Sequence, residues 1–225
     1  MADGILSEMT VDEVRSFRPE VVVLGVASTE PHGPALAYGS DFYQCDHLCR
    51  NAVKRANQKG ARVLMYPTLP IGNNVNFKVF PFACRIGVPT LMRMLLDILQ
   101  ALEEDGIRKV ALVDGHGGNT AAIQAALRYH FDITPTERRA FVCYVKGWMA
   151  SEEAEALVER PSDHGGESEV SRNLYINPQF VRKDKLMDQP ANEPLLSMLK
   201  DPDFYCVHPW HKRYPLSGGG NTRAA

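Results

Sequence analysis

The sequence predicts an α/β domain with a mainly parallel sheet, and three observations lead there. Short apolar runs alternate with helical stretches along the chain. The runs are continuous rather than alternating, as expected of strands buried on both faces. Glycine or proline punctuates most joins between elements.

The elements follow in order. Thr10-Val11-Asp12-Glu13 is a capping-box pattern that starts a short helix. Residues 20–27, EVVVLGVA, form the first strand, and a polar loop with Pro31, Gly33 and Pro34 follows. Residues 41–58 read as a helix ending near Gly60, and residues 61–67 as a second strand. A long loop, 68–88, is rich in Asn, Phe, Pro and Gly; a loop of that length in a compact domain is usually functional. Pro89 suits a helix start and Gly106 its far end. Residues 108–114 form a third strand, Gly115–Asn119 a tight turn into another helix, and residues 139–146 a fourth strand. From about residue 183 the periodicity weakens and prolines punctuate the chain. This irregular segment is expected to pack on the domain or on a neighbouring subunit, and its SGGGNTRAA end to be ordered only if something holds it. The whole, residues 1–225, reads as a single domain.

Bulk properties exclude several classes. The 25 basic and 27 acidic residues give a net charge of -2, without the basic excess of a nucleic-acid binder. No apolar run reaches the roughly 18 residues of a membrane span, and the first residues lack the pattern of a secretory signal. The five cysteines have no CxxC spacing, so reduced thiols in a cytoplasmic protein are expected. Cys45 and Cys49, four apart on a helix, are explained by burial.

In a parallel sheet, ligands bind beyond the carboxyl ends of the strands. Two strand ends carry metal-capable side chains. Glu30 and His32 follow the first strand, two apart and so able to point the same way in an extended segment, and Asp41 opens the next helix. His116 sits in the turn after the third strand, Asp114-Gly115-His116-Gly117-Gly118-Asn119. Carboxylates with imidazoles suit Zn, Mn or Fe. Read blandly, Asp41 is an N-cap and His32 a turn residue. A third cluster, His164-Gly165-Gly166-Glu167-Ser168-Glu169, opens another helix and suits a general acid or base beside a ligand carboxylate. A capped helix start would explain Glu167, but not His164 and the paired glycines.

Three motifs in this order resemble those of the creatininase (creatinine amidohydrolase) family. They are Glu30-Pro31-His32-Gly33-Pro34-Ala35-Leu36 with Asp41, then the G-H-G-G-N turn at His116, then His164 through Ser171. The resemblance spans about residues 20 to 180. It implies a three-layer α/β/α sandwich and two divalent metal ions per subunit (Zn, Mn or Fe), held by Glu30, His32, Asp41, His116 and Glu169 with Asp41 bridging. It further implies a metal-activated water as nucleophile, His164 and Glu169 as catalytic groups, and a homo-oligomer, a hexamer in the family pattern. The absence of a G-x-S-x-G elbow agrees with a water nucleophile.

Departures bear on the substrate. Gly118 stands where creatininase itself carries a glutamate, which argues against creatinine. The loop holds Asn73, Asn74 and Asn76, either for hydrogen bonds to substrate hydroxyls and carbonyls or simply for turn backbone. Asn74, Asn76, Trp148 and Trp210 are the candidate substrate-binding residues, and a small-molecule substrate is expected. The leading expectation is hydrolysis of a small cyclic amide or related C–N bond. The alternatives are hydrolytic C–C cleavage of a cyclic diketone polyol such as 3-dehydro-scyllo-inosose, and a non-catalytic metal- or ligand-binding protein of the same fold.

Overall fold

In the computed structural model, residues 3–147, 152–159, 164–194, 197 and 206–225 are described. The chain gathers into two compact units.

The first unit comprises Met1–Ser28, Cys45–Asn73 and Arg85–Trp148. It holds four parallel strands, β1 (Val21–Val26), β2 (Val63–Leu69), β3 (Lys109–Asp114) and β4 (Phe141–Lys146), in the order β2-β1-β3-β4. Strand pairing is in continuous register from Val22↔Val110 to Val26↔Asp114. The central strand β1 explains the continuous apolar run. Val22, Leu24 and Val26 pack with Leu91, Leu95 and Leu99 of α3 (Val88–Glu104) and Ile123 of α4 (Thr120–Ile133). On the opposite face Gly25 lies against Cys45 of α2 (Ser40–Gln58), with no room for a larger side chain. Helices therefore cover both faces, giving the three layers. Cys45 and Cys49 are buried, as their helical spacing predicts.

Local signals set the helix ends. Thr10 Oγ1 accepts from the Glu13 amide while the Glu13 carboxylate accepts from the Thr10 amide, a completed capping box at α1 (Val11–Phe17). Gly106, at φ 86, terminates α3 in the left-handed conformation that glycine tolerates. Strand and helix limits differ from the expected ones by one or two residues, as fraying ends do.

The sheet order places the topological switch point beside β1, where chain connections leave in opposite directions. The ends of β1 and β3 are neighbours there, and the Gly115 amide donates to Val26 O at 2.9 Å.

The second unit comprises Thr29–Gln44, Asn74–Cys84 and Met149–Ala225. Its regular elements are α5 (Glu152–Glu155), α6 (Glu167–Ile176), α7 (Trp210–Arg213) and the two-residue strands β5 (Asp188–Gln189) and β6 (Gly220–Asn221), paired antiparallel. Leu36, Val170 and Val181 form its small buried cluster. The C-terminal residues are held. Thr222 Oγ1 exchanges hydrogen bonds with both the amide and the carbonyl of Met187, each at 2.8 Å. Among the described residues no helix is long and apolar enough to cross a membrane.

Candidate metal centre

Within the second unit the chain draws five predicted residues onto one spot. Glu30 and His32 leave the end of β1 in a turn whose Glu30 amide donates to Tyr38 O. Asp41 enters from the first turn of α2, where the helix dipole favours a carboxylate. His164 and Glu169 flank the start of α6.

His32 lies at the middle. Its Nδ1–H donates to Glu30 O at 3.0 Å, which fixes the ring and turns Nε2 toward the carboxylates. Nε2 is 2.9 Å from Asp41 Oδ1, 3.7 Å from Glu169 Oε2 and 4.0 Å from Glu30 Oε1. Burial alone would push the His32 pKa down. The charges of Asp41, Glu169 and Glu30, with the Asp41 hydrogen bond, outweigh it and hold the pKa at about 10.

His164 stacks on His32 with ring centroids 4.1 Å apart. Its Nε2–H donates to Pro31 O at 2.8 Å, and Nδ1 stands 3.8 Å from Glu30 Oε1. Burial, then the neighbouring His32, lower its pKa, so it is neutral at neutral pH with Nδ1 as its basic atom.

Two glutamates near α6 look alike in sequence and separate in structure. Glu167 Oε2 accepts from the Glu159 amide at 2.9 Å and braces a loop. Glu169 Oε2 accepts from the Gly165 amide at 2.7 Å and faces His32.

The donor set fits a divalent ion. Ligand-capable atoms of Glu30, His32 and His164, and likewise those of His32, Asp41 and Glu169, lie within 4.8 Å of one another. Three carboxylates and two imidazoles in a largely dry site carry a surplus of negative charge, which a divalent cation offsets. The grouping also makes His164 a candidate ligand, beyond its expected role.

His116 belongs to the first unit. Its amide donates to Asp114 Oδ1 at 3.1 Å, and its Nε2–H donates to Asn73 O at 3.1 Å, leaving Nδ1 as the basic nitrogen. Asp114 is fully buried. Burial raises its pKa, against hydrogen bonds from His116, Tyr144 and Thr120 that favour the carboxylate. Gly118 answers to packing. A Cβ there would fall well inside contact distance of Asn73 O and His116 Nε2.

The predicted substrate-binding residues divide. Asn74 is buried, and its Nδ2 donates to Thr29 O and Cys84 O, which shapes the loop. Asn73 acts similarly toward Ile86 O. Asn76 Oδ1 and Trp210 Nε1 are buried atoms that make no hydrogen bond among the described residues. Trp210 stands edge-on to His164 at 5.8 Å and packs on Phe77 at 5.8 Å, and Phe77 is 4.9 Å from His164. An aromatic wall thus borders the candidate proton carrier. Trp148 lies outside the described residues.

Sequence reasoning missed Gln189 and Ser217. Gln189 Nε2 donates to Gly165 O at 2.7 Å, and Ser217 Oγ accepts from the Gly33 amide at 2.8 Å. Neither sits in a motif. A run of glycines follows Ser217, but none surrounds Gln189.

Comparison with known proteins supports the same direction. The chain is 28% identical over 186 residues to the mycofactocin precursor peptide peptidase of Mycolicibacterium smegmatis, covering 81% of this chain and 68% of that one. It is 24% identical over 188 residues to the creatinine amidohydrolase of Pseudomonas putida, covering 76% and 69%. Among solved structures, a provisionally named creatinine amidohydrolase from Bacteroides fragilis superposes with a TM-score of 0.80 at 24% identity, covering 100% of this chain and 88% of that one. A point-mutant creatininase of Zn-Zn type gives 0.76 at 23% identity, covering 98% and 88%. These structural likenesses confirm the creatininase-type α/β fold. A family model described as creatininase, creatinine amidohydrolase, matches residues 7–225, and the chain therefore belongs to the creatininase family.

Proposed function

We propose that the protein is a metal-dependent hydrolase that cleaves a C–N bond in a small amide, cyclic or peptide-like. Two divalent ions, Zn, Mn or Fe, are held by Glu30, His32, Asp41, His116 and Glu169. The observation that carries this reading is the environment of His32, an oriented imidazole with carboxylates of Asp41, Glu169 and Glu30 within 4.0 Å of its Nε2. His116 joins the set on the strength of its motif.

When bound, the ions lower the pKa of a water and polarise the scissile carbonyl. The chain supplies the rest. His32 and His116 present one basic nitrogen each, because their other ring nitrogens are tied to backbone carbonyls. Neutral His164, oriented by Pro31 O, takes a proton on Nδ1 and returns it to the leaving nitrogen. Glu169 serves as a ligand and as a second proton acceptor. Asn76 Oδ1 and Trp210 Nε1 offer the substrate an acceptor and a donor beside the aromatic wall. Trp148 is kept as a proposed substrate-binding residue on its place in the sequence alone, and the working form is a homo-oligomer.

The named relatives act on a precursor peptide and on creatinine, so amide chemistry is common to both. C–C cleavage of a diketone polyol is less well supported. The asparagines that suggested it are in part accounted for by the loop bonds of Asn73 and Asn74. The deciding experiment assays purified, metal-loaded protein against cyclic amides, short peptides, formamides and keto-inositols. Turnover of amides or peptides supports the reading, and turnover of keto-inositols alone sinks it.

A further inference from the structure

Residues 217–219 touch the backbone of the two loops that carry His32 and His164. Ser217 Oγ accepts from the amide of Gly33, the residue after His32, at 2.8 Å. The Gly219 amide donates to His164 O at 3.0 Å. Between them, a Cβ on Gly165 would meet Gly218 Cα and the His32 carbonyl at 3.1 Å. Three backbones therefore meet at glycines, and Gln189 closes the junction through Gly165 O.

Ser217 is anomalous in this company. It is 2% exposed and adopts φ 68, a left-handed backbone that glycine accepts more readily than any residue with a Cβ. A residue placed there for backbone shape alone would be better as glycine. Strain retained beside a site is evidence that the side chain is needed, and what this side chain does is hold the Gly33 amide.

We propose that Ser217 is a positioning residue. Its hydroxyl fixes the turn after His32 and so aims His32 Nε2 at Asp41 and Glu169. This rests on the reading of His32 as a metal ligand. Removing groups that orient a ligand commonly weakens metal affinity by about 10–100-fold.

The test uses the full chain, Zn2+ alone as probe and two variants. Ser217→Gly removes the hydroxyl and relieves the backbone, while Ser217→Ala removes the same hydroxyl and keeps the strain. The proposal expects both to bind Zn2+ at least about tenfold more weakly in competition with a chromophoric chelator. Ser217→Gly should melt at or above the wild-type temperature, and the 15N resonances of the His32 ring should shift in both metal-free variants. Wild-type affinity with unshifted resonances in Ser217→Gly overturns the proposal, as does a loss confined to Ser217→Gly, which would point to loop freedom rather than the hydroxyl. If wild-type protein binds no Zn2+, the metal reading fails separately, and the His32 resonances still decide whether Ser217 positions the ring.

Discussion

His32 Nε2 lies 2.9 Å from Asp41 Oδ1, and Glu30 O holds the opposite ring nitrogen. The pair joins the turn after β1 to the first turn of α2. If Asp41 bridges two ions, Asp41→Ala should reduce the metal content from about two ions per chain to one or fewer. Elemental analysis of the purified variant checks this, and two retained ions would remove the bridging role.

The same contact gives the metal-free protein a signed pH dependence. His32 holds its proton to about pH 10 when folded, against 6.5 for an ordinary imidazole. A raised pKa contributes stability that is fully present below 6.5 and lost as pH rises through about 10. Chelated protein should therefore melt at a lower temperature at pH 9 than at pH 7. Metal-loaded protein, in which the ion replaces that proton, should show a smaller drop. Equal drops in the two forms would contradict the assignment.

His164→Ala should leave metal content near wild type and lower turnover by about 10²–10⁴-fold, the usual worth of a positioned acid–base group. Loss of metal in this variant would instead make His164 a ligand, the role its grouping with Glu30 and His32 also allows.

Gly118 has no room for a side chain. A side chain there would collide with Asn73 O and His116 Nε2. Gly118→Glu should destabilise the protein by about 1–3 kcal/mol, as overpacking does, and should not create creatinine hydrolysis. Thermal melts and a creatinine assay check both parts.

Much of this was legible in the sequence, and the reason is locality. The run 20–27 reads as a buried strand because β1 is covered on both faces. Thr10 and Glu13 announce their helix because a capping box spans four residues. Glu30 and His32 could be paired by their spacing alone. The remainder depended on contacts between distant residues. The spacing around α6 did not reveal that Glu167 braces residue 159 while Glu169 faces His32. Nothing near residue 222 indicates that Thr222 pairs with Met187, so the ordered tail was not foreseeable. Ser217 was invisible for the same reason, since a left-handed serine has no pattern of its own.

The most direct test of the central claim is amide-hydrolase turnover of one preparation followed through chelation and restoration. The expected result is activity with about two divalent ions per chain, loss of activity with the ions, and recovery on adding back Zn2+ or Mn2+. Full turnover by chelated protein shown to contain no metal would contradict it.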